Sequence, residues 1–540
     1  MRLLALVCVV TVVQSQDSTD GIYDKQKDNQ WFKDGVNLIK ENLKNKNINK
    51  KAKNVILFIG DGMGVSTVTA ARILDGQLQN KTGEENVLSW EEFPNVALSK
   101  TYNTDVQTAD SAGSATAILT GVKAREGVVS VNEKVPRYDC EASKTNKVLS
   151  LVMLAEMAGL STGVVTTSEL THATPSTAYS HSADRGWECD ADMKPNSTCK
   201  DIASQLIDSP YGNGLEIAFG GGRKYFFPTS IEDPEEKGKF GKRKDGRNLV
   251  DEWVKKTTKD KVFSYVWNET DFKKLDPTKV DHVLGLFDYS HMQFSHNRKK
   301  DTAGEPSLTE MVEFAIKTLE RNPKGYVLLV EGARIDHAHH KSKAFHALHD
   351  TVELANAVRK SKELTKKEET LLLVTADHSH VFTFGGYQKR GSPIFGLTNA
   401  DQFIANDGMR YPTLGYVNGP GAKINASRNP VTEKELRDPE FVWPSLVNVN
   451  SESHGGEDVA VYALGPQAHL LRGVVEQNYI FHVLDYALCL SESKKSICRS
   501  EGLMDRRNFS ESVHNIQHYF LYMSIFLTLC NIQLGMIKNF

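Results

Sequence analysis

Carboxylates and imidazoles recur in this chain at the ends of short apolar runs, where a cation site would need them. In Glu331-Gly332-Ala333-Arg334-Ile335-Asp336-His337-Ala338-His339-His340, Asp336 and His340 stand four residues apart. One helical turn brings such a pair to the same face, toward a single cation. A carboxylate with an imidazole suits zinc. His337, His339 and His340 also crowd more histidine into one turn than packing requires. Asp377 and His378, in Ala376-Asp377-His378-Ser379-His380, form a second such pair. His454, in Ser453-His454-Gly455-Gly456-Glu457-Asp458, would supply the third protein ligand that a zinc on Asp336 and His340 still needs. Asp61, in Gly60-Asp61-Gly62-Met63-Gly64, offers two oxygens able to bridge cations from a turn that its glycines allow. Read alone, that last run is more often a structural turn.

The hydroxyl such cations would activate is Ser111, in Asp110-Ser111-Ala112-Gly113-Ser114-Ala115-Thr116-Ala117. Small helix-compatible residues follow it, so the serine starts a helix. A helix N-terminus favours negative charge, on an alkoxide and on a phosphate alike. Taken alone the run is an ordinary N-cap. Beside two cation half-sites, Ser111 becomes the candidate nucleophile for phosphoryl transfer. Thr174, in His172-Ala173-Thr174-Pro175, has a hydroxyl suited to a hard cation, and Arg185 has a planar fork suited to phosphate. Spacing alone establishes neither role.

These residues need a frame. Asn54-Val55-Ile56-Leu57-Phe58-Ile59-Gly60 is short, apolar and β-branched, the pattern of a buried strand. Gly163 to Thr167, Gly325 to Val330 and Thr370 to Thr375 are alike, and helical patterns lie between them in Val148 to Ala158 and Leu308 to Leu319. The alternation predicts an α/β fold: a central, mostly parallel β-sheet flanked by helices on both faces. Asp61, Glu331 and Asp377-His378 then fall just after strands, where open sheets of this class bind ligands. Trp31 to Leu43 has near-helical apolar spacing and predicts an amphipathic helix in an N-terminal arm over 16–53, whose basic end, Lys44 to Lys53, reads as a solvated linker. The catalytic domain covers 54–384 and resumes over 454–498. Between them, 385–453 is rich in Gly, Pro and Asn and is expected to form a smaller irregular or β insertion, crown-like in position.

The chain has 540 residues, 40% of them hydrophobic, enough for a sizeable core. A formal net charge of −3 gives no general attraction to nucleic acid, so none is expected as a partner, and an anionic substrate needs dedicated positive groups. Arg2, the apolar run Leu3 to Val13, and Val13-Gln14-Ser15 read as a signal peptide over 1–15, which places the chain in the secretory pathway and an oxidising compartment. Cys8 leaves with that signal, and Cys140, Cys189, Cys199, Cys489, Cys498 and Cys530 remain. Cys489 and Cys498 are close enough to close a small loop, whereas Cys140 and Cys189 stay open as partners of Cys199. Asn80, Asn196, Asn268, Asn425 and Asn508 head N-x-Ser/Thr triplets and are candidate glycan sites. In the tail, 499–540, small residues near Asn508 precede the polar Glu511 to His518 and the largely apolar Tyr519 to Ile537. That order suits a glycolipid (GPI) anchor signal, and so the outer face of the plasma membrane, with a soluble secreted form as the alternative.

Taken in order, the blocks Gly60 to Gly64, Asp110 to Gly113, His172 to Pro175, Glu331 to His340, Thr375 to His380 and His454 to Asp458 resemble the eukaryotic alkaline phosphatases. The resemblance is collinear from about Trp31 to Cys498 and is to the animal members, secreted or glycolipid-anchored, arthropod forms included. It implies hydrolysis of small phosphate monoesters under alkaline conditions, through a phosphoserine at Ser111. It also implies a homodimer to which the 31–43 helix contributes. It implies two zinc ions and one magnesium ion per chain. Asp336, His340 and His454 would hold the first zinc, and Asp61, Asp377 and His378 the second, beside Ser111. Asp61 would bridge to the magnesium, shared with Thr174 and Glu331; Thr174 stands where many members have serine and keeps the hydroxyl. Arg185 would clamp the phosphate. His172 and His337 match positions behind the ligands, where bacterial relatives often carry Asp and Lys, and His380 is a neighbour rather than a ligand. A calcium ion is implied at Glu235, Phe287 (through its carbonyl), Asp288 and Glu305. Asp288 replaces the more usual Glu, and the spacing over Lys299 to Gly304 departs from the family pattern. The resemblance pairs Cys140 with Cys199 and Cys489 with Cys498, and leaves Cys189 alone.

Three other functions fit less well. A sulfatase needs Cys or Ser followed by x-Pro-x-Arg, whereas Ala112-Gly113-Ser114-Ala115 follows Ser111. The magnesium set with Arg185 favours monoesters over diesters. A surface binding protein that had lost catalysis should lack a nucleophile or a ligand, and none is missing.

Overall fold

The computed structural model describes residues 19–258, 260–399, 404–423 and 427–504. The expected signal peptide, the apolar anchor stretch, Asn425, Asn508 and Cys530 lie outside the described residues. The chain forms two compact units, residues 1–47 and residues 48–540. In the first, Gln30–Asn42 is the amphipathic helix expected from the spacing, and Asn29 caps it by accepting from the Trp31 N–H at 2.9 Å.

The second unit is built on a ten-stranded sheet. Eight of its strands are β1 (Asn54–Gly60), β2 (Asn95–Lys100), β3 (Ser161–Glu169), β4 (Ile217–Gly221), β5 (Phe263–Val266), β6 (His282–Leu286), β7 (Tyr326–Gly332) and β8 (Thr370–Ala376). The other two are Val459–Leu464 and Gly473–Glu476. Their order is Gly473–Glu476, β2, Val459–Leu464, β8, β1, β7, β3, β4, β6, β5. The run from β8 to β5 is parallel throughout, and Val459–Leu464 runs against both of its neighbours.

Strand residues alternate faces, and both faces are covered. In β1, Ile56 and Phe58 enter one apolar core while Val55, Leu57 and Ile59 enter the other. Leu328 and Val330 of β7 oppose Val327 and Leu329 in the same way, as Leu372 and Val374 of β8 oppose Leu371 and Leu373. Burial on both sides explains why these strands read as continuous apolar runs. Among the helices that cover them, Leu308–Leu319 keeps its expected bounds, fixed by a reciprocal Ser307–Glu310 capping box. Leu151–Ala158 starts later than the apolar pattern, because Ser150 caps it.

A separate three-stranded sheet, Phe382–Phe384, Leu414–Gly419 and Ser445–Asn448, lies largely within the insertion. A two-stranded antiparallel pair, Ser379–His380 with His454–Gly455, places His454 opposite His380. That pairing returns the chain from the insertion to the carboxyl end of the sheet. Disulfides join Cys140 to Cys199 and Cys489 to Cys498, and Cys189 is free and buried. Among the described residues no helix is long and apolar enough to cross a membrane.

Candidate active site

Parallel register brings the acidic residues together. Gly60 is level with Gly332 and Ala376, so Asp61 and Asp377 leave the adjacent strands β1 and β8 at one height, whereas Glu331, expected just after its strand, lies inside β7 opposite Ile59 because that strand runs on to Gly332. Gly62 makes the turn after β1 with φ +69°, and its N–H donates to Asp377 Oδ1 at 3.0 Å. A Cβ there would meet the His380 ring at 2.4 Å, so both the backbone and the space demand glycine.

Asp336 and His340 lie on Arg334–His340, one turn apart, as the spacing implies. His340 Nδ1 lies 2.5 Å from the Glu452 carbonyl, and His454 Nδ1 lies 2.7 Å from the Ala109 carbonyl. A carbonyl only accepts, so each Nδ1 carries the hydrogen and each neutral ring turns a lone pair outward at Nε2. Those two Nε2 atoms face one another at 3.2 Å, each 3.4 Å from an Asp336 oxygen. Two lone pairs and a carboxylate, with no hydrogen available between them, make a cation site. His380 joins Asp336, His340 and His454 in this group. Its Nε2 donates to Asp336 Oδ1 at 2.5 Å and its Nδ1 to Glu452 Oε2. Burial pulls its pKa down, but Asp336 and Glu452 push it up to about 10, which favours the protonated ring over a free lone pair.

The second group surrounds the serine. Ser111 is the first residue of the helix Ser111–Thr120, and Asp110 caps it by accepting from Ala112 N and Gly113 N, both at 3.1 Å. Ser111 Oγ is 3.1 Å from His378 Nε2 and 3.4 Å from Asp61 Oδ1. His378 Nδ1 faces the Ser379 carbonyl at 3.2 Å, which again leaves Nε2 as a lone pair. That Nε2 is 3.2 Å from Asp377 Oδ2 and 3.5 Å from Asp61 Oδ1. The His378 and His454 rings stack with centroids 3.6 Å apart, so the two groups share a wall.

In a third group, Asp61 Oδ2, Glu331 Oε1, Thr174 Oγ1 and His172 Nδ1 are buried without a hydrogen-bond partner. Glu331 Oε2 is used, accepting from Thr166 Oγ1 at 2.5 Å and Ser168 Oγ at 3.2 Å. Thr174 follows β3 on the short helix Ala173–Ser176. His172 Nε2 sits 3.0 Å from Arg185 Nη2. A guanidinium only donates, so Nε2 accepts and Nδ1 is an N–H, suited to water or an anion behind the cation rather than to the cation itself. His337 Nδ1 likewise accepts from Arg334 Nη1 at 3.1 Å, and its ring stands edge-on to His172 at 5.3 Å.

Arg185 Nη1 reaches Asp110 Oδ2 at 3.1 Å. Burial would raise the Asp110 pKa, but Arg185 and the N–H groups of Gly127, Gly113 and Ala112 hold it below the usual range. Asp61 shows the opposite balance. Burial, then Asp377, Asp336 and Glu331, push its pKa well up. Burial, followed by Asp377, raises Glu331 to about 7. Carboxylates packed this tightly repel one another unless cations neutralise them.

A fourth group lies after β6, where Asp288, Asp301 and Glu305 converge. Asp301 Oδ2 and Glu305 Oε2 are buried and unpartnered. Burial, then Asp288 and Asp301, push Glu305 well up, and burial, then Glu235, push Asp301 to about 7. Of the expected residues, Asp288 and Glu305 meet here. Glu235 stands alongside, with Oε2 on Arg223 Nη2 at 2.7 Å and Oε1 accepting from Ala303 N at 3.2 Å. The Phe287 ring is buried in the core next to Asp288 in the chain. The sequence did not point to Asp301; its only signal was the unusual spacing of 299–304. Glu452, the anchor for both His340 and His380, carried no signal beyond its nearness to His454.

The alkaline phosphatase family model matches residues 52–490. The chain is 50% identical over 476 residues to the tissue-nonspecific alkaline phosphatase isozyme of Felis catus, covering 86% of this chain and 90% of that one. It is 50% identical over 452 residues to an alkaline phosphatase of Gadus morhua, covering 82% of this chain and 93% of that one. Among solved structures, the alkaline phosphatase of Thermus thermophilus shares the fold, with a TM-score of 0.59 at 21% identity over 82% of this chain and 93% of that one.

Proposed function

The chain belongs to the alkaline phosphatase family and hydrolyses phosphate monoesters, and on that premise we propose how its own residues divide the work. The reading rests on one observation: Ser111 Oγ, at a helix N-terminus, lies 3.1 Å from His378 Nε2 inside a cluster of inward-facing lone pairs and buried carboxylates. The donor sets suit two zinc ions, one on Asp336, His340 and His454 and one on Asp61, Asp377 and His378. The all-oxygen set of Asp61, Thr174 and Glu331 suits magnesium, with His172 and His337 behind it. The oxygen set of Asp288, Asp301 and Glu305, with Glu235 and the Phe287 carbonyl as neighbours, suits calcium. When bound, the zinc ions supply Lewis acidity, which lowers the pKa of hydroxyl and water and neutralises phosphoryl charge.

Ser111 Oγ attacks phosphorus in line, and the bond from phosphorus to the leaving alcohol's oxygen breaks as the Oγ–P bond forms. Water then attacks the phosphoserine, releases inorganic phosphate and restores the hydroxyl. Asp110 keeps the helix start aimed at the site. The outward edge of Arg185 presents two N–H groups to the equatorial oxygens, held in plane by Asp110 and His172. The signal and tail patterns support a glycolipid-anchored, cell-surface enzyme, and the 31–43 helix supports a homodimer.

Ser111→Ala tests the core of this reading. Turnover of an aryl phosphate should fall to background while the purified protein keeps more than one zinc per chain. Retained turnover would remove Ser111 as the nucleophile. The native enzyme should also lose activity to a chelator and regain it with zinc and magnesium.

A further inference from the structure

We propose that Arg137, outside the reacting cluster, is a positioning residue that sets the phosphate affinity of the enzyme by fixing where Arg185 stands. The proposal rests on Arg185 being the phosphate clamp.

Arg185 is held through its backbone as well as its side chain. Its N–H donates to the Gly127 carbonyl at 2.8 Å, and the Gly127 N–H donates to Asp110 Oδ1 at 3.0 Å. Asp110 in turn caps the nucleophile's helix and takes Arg185 Nη1. Gly127 therefore ties the clamp to the nucleophile with one peptide unit on each side. Gly127 itself sits in a turn at φ +77°.

Arg137 locks that turn from outside. Its Nη1 reaches Glu126 Oε1 at 3.0 Å, on the residue before Gly127. Its Nε and Nη2 reach Asp184 Oδ1 at 3.2 and 3.1 Å, on the residue before Arg185. The same Asp184 oxygen accepts from Gly186 N at 3.1 Å, so Arg185 is bracketed on both sides. The guanidinium lies directly over Gly127, where a Cβ would meet Arg137 Nε at 2.5 Å. One side chain thus clips the 125–127 turn to the 184–186 segment.

An isolated surface ion pair would contribute little. Arg137 differs because it joins two carboxylates on separate segments while covering the peptide between them. Its side chain is 31% exposed and that of Asp184 only 8%. Without it, Glu126 and Asp184 lose their shared counter-charge, and the turn that receives the Arg185 N–H is free to shift. A clamp displaced in this way loses contact with bound phosphoryl oxygens, which weakens binding of substrate and of inorganic phosphate alike.

The test is a double-mutant cycle on the metal-loaded enzyme, with inorganic phosphate inhibition and aryl phosphate kinetics as readouts. Arg137→Met should weaken phosphate inhibition and raise KM roughly tenfold, with zinc content and kcat little changed. Combined with Arg185→Ala, the same change should have less than a twofold further effect, because the residue it positions is gone. Arg137→Lys, which keeps charge but not the fork, should fall between, and it carries the same cycle if Arg137→Met does not fold. If Arg185→Ala weakens inhibition but Arg137→Met does not, or weakens it equally in both backgrounds, the positioning role is overturned. If Arg185→Ala itself leaves inhibition unchanged, the clamp assignment fails instead.

Discussion

Arg185→Ala isolates the phosphate clamp from the rest of the site. The native guanidinium can give two charge-assisted hydrogen bonds to the transferring phosphoryl group, each contributing about 1.5–3 kcal/mol net. Because kcat/KM is referred to free enzyme and substrate, the whole loss counts: about 3–6 kcal/mol from the transition state, or roughly 10²–10⁴-fold in kcat/KM. The structure separates this from collapse of the site. Asp110 loses one partner but keeps Ala112 N, Gly113 N, Gly127 N and the Asn103 amide, so the cap survives. The contacts of Arg185 are with Asp110 and His172, neither of them an assigned zinc ligand. Steady-state kinetics with an aryl phosphate, phosphate inhibition and zinc analysis on the same preparation make the assay. A variant within fivefold of native kcat/KM would show that Arg185 does not touch the phosphoryl group. Zinc lost in step with activity would show that its role is to hold the site together.

Two further outcomes concern stability. Burial, and then the nearby Glu216, raise the Glu156 pKa to about 7, so the folded state holds this proton more tightly than the unfolded chain. Stability is then lost as pH rises from about 4.5 through 7, by about 3 kcal/mol in all; Glu156→Gln, which can still accept from Thr162, should flatten that decline in thermal unfolding from pH 5 to 8, and an unchanged slope counts against it. Cys140–Cys199 and Cys489–Cys498 close chain separations of 59 and 9 residues. In the chain-entropy description they contribute about 4 and 3 kcal/mol, so paired serine substitutions at 140 and 199 should lower the unfolding midpoint more than those at 489 and 498, and the reverse order would argue against loop entropy as the cause.

Much of the frame was legible because burial on both faces writes an unambiguous pattern. Val55 to Ile59, Val327 to Val330 and Leu371 to Val374 have no polar face to confuse a strand with a turn. A carboxylate directly after such a strand stands at its carboxyl end whatever the neighbours are, so Asp61 and Asp377 could be placed from local order alone, whereas Glu331 proved to lie inside β7, which continues to Gly332. Asp336 and His340 were legible for a similar reason, since a helical turn fixes their relation without any tertiary contact.

Other roles depend on atoms brought from far along the chain. His340 and His454 are 114 residues apart, and what suits them to hold a cation is that Glu452 and Ala109 carbonyls take their Nδ1 hydrogens. His380 sits in the same motif as His378, yet its two nitrogens face the carboxylates of Glu452 and Asp336, whereas His378 Nδ1 faces a carbonyl; sequence spacing treats the two alike. Asp301 enters the fourth cluster through a loop whose path no local pattern prescribes. The link from Arg137 through Gly127 to Arg185 crosses three segments and needs a left-handed turn beneath a guanidinium. Four strands of the ten-stranded sheet, and the residue types near their ends, could thus be read from the chain alone, because those follow from burial and short-range periodicity. Tertiary structure alone decided protonation, tautomer and mutual support, because those depend on which donor or acceptor the fold sets against each side chain.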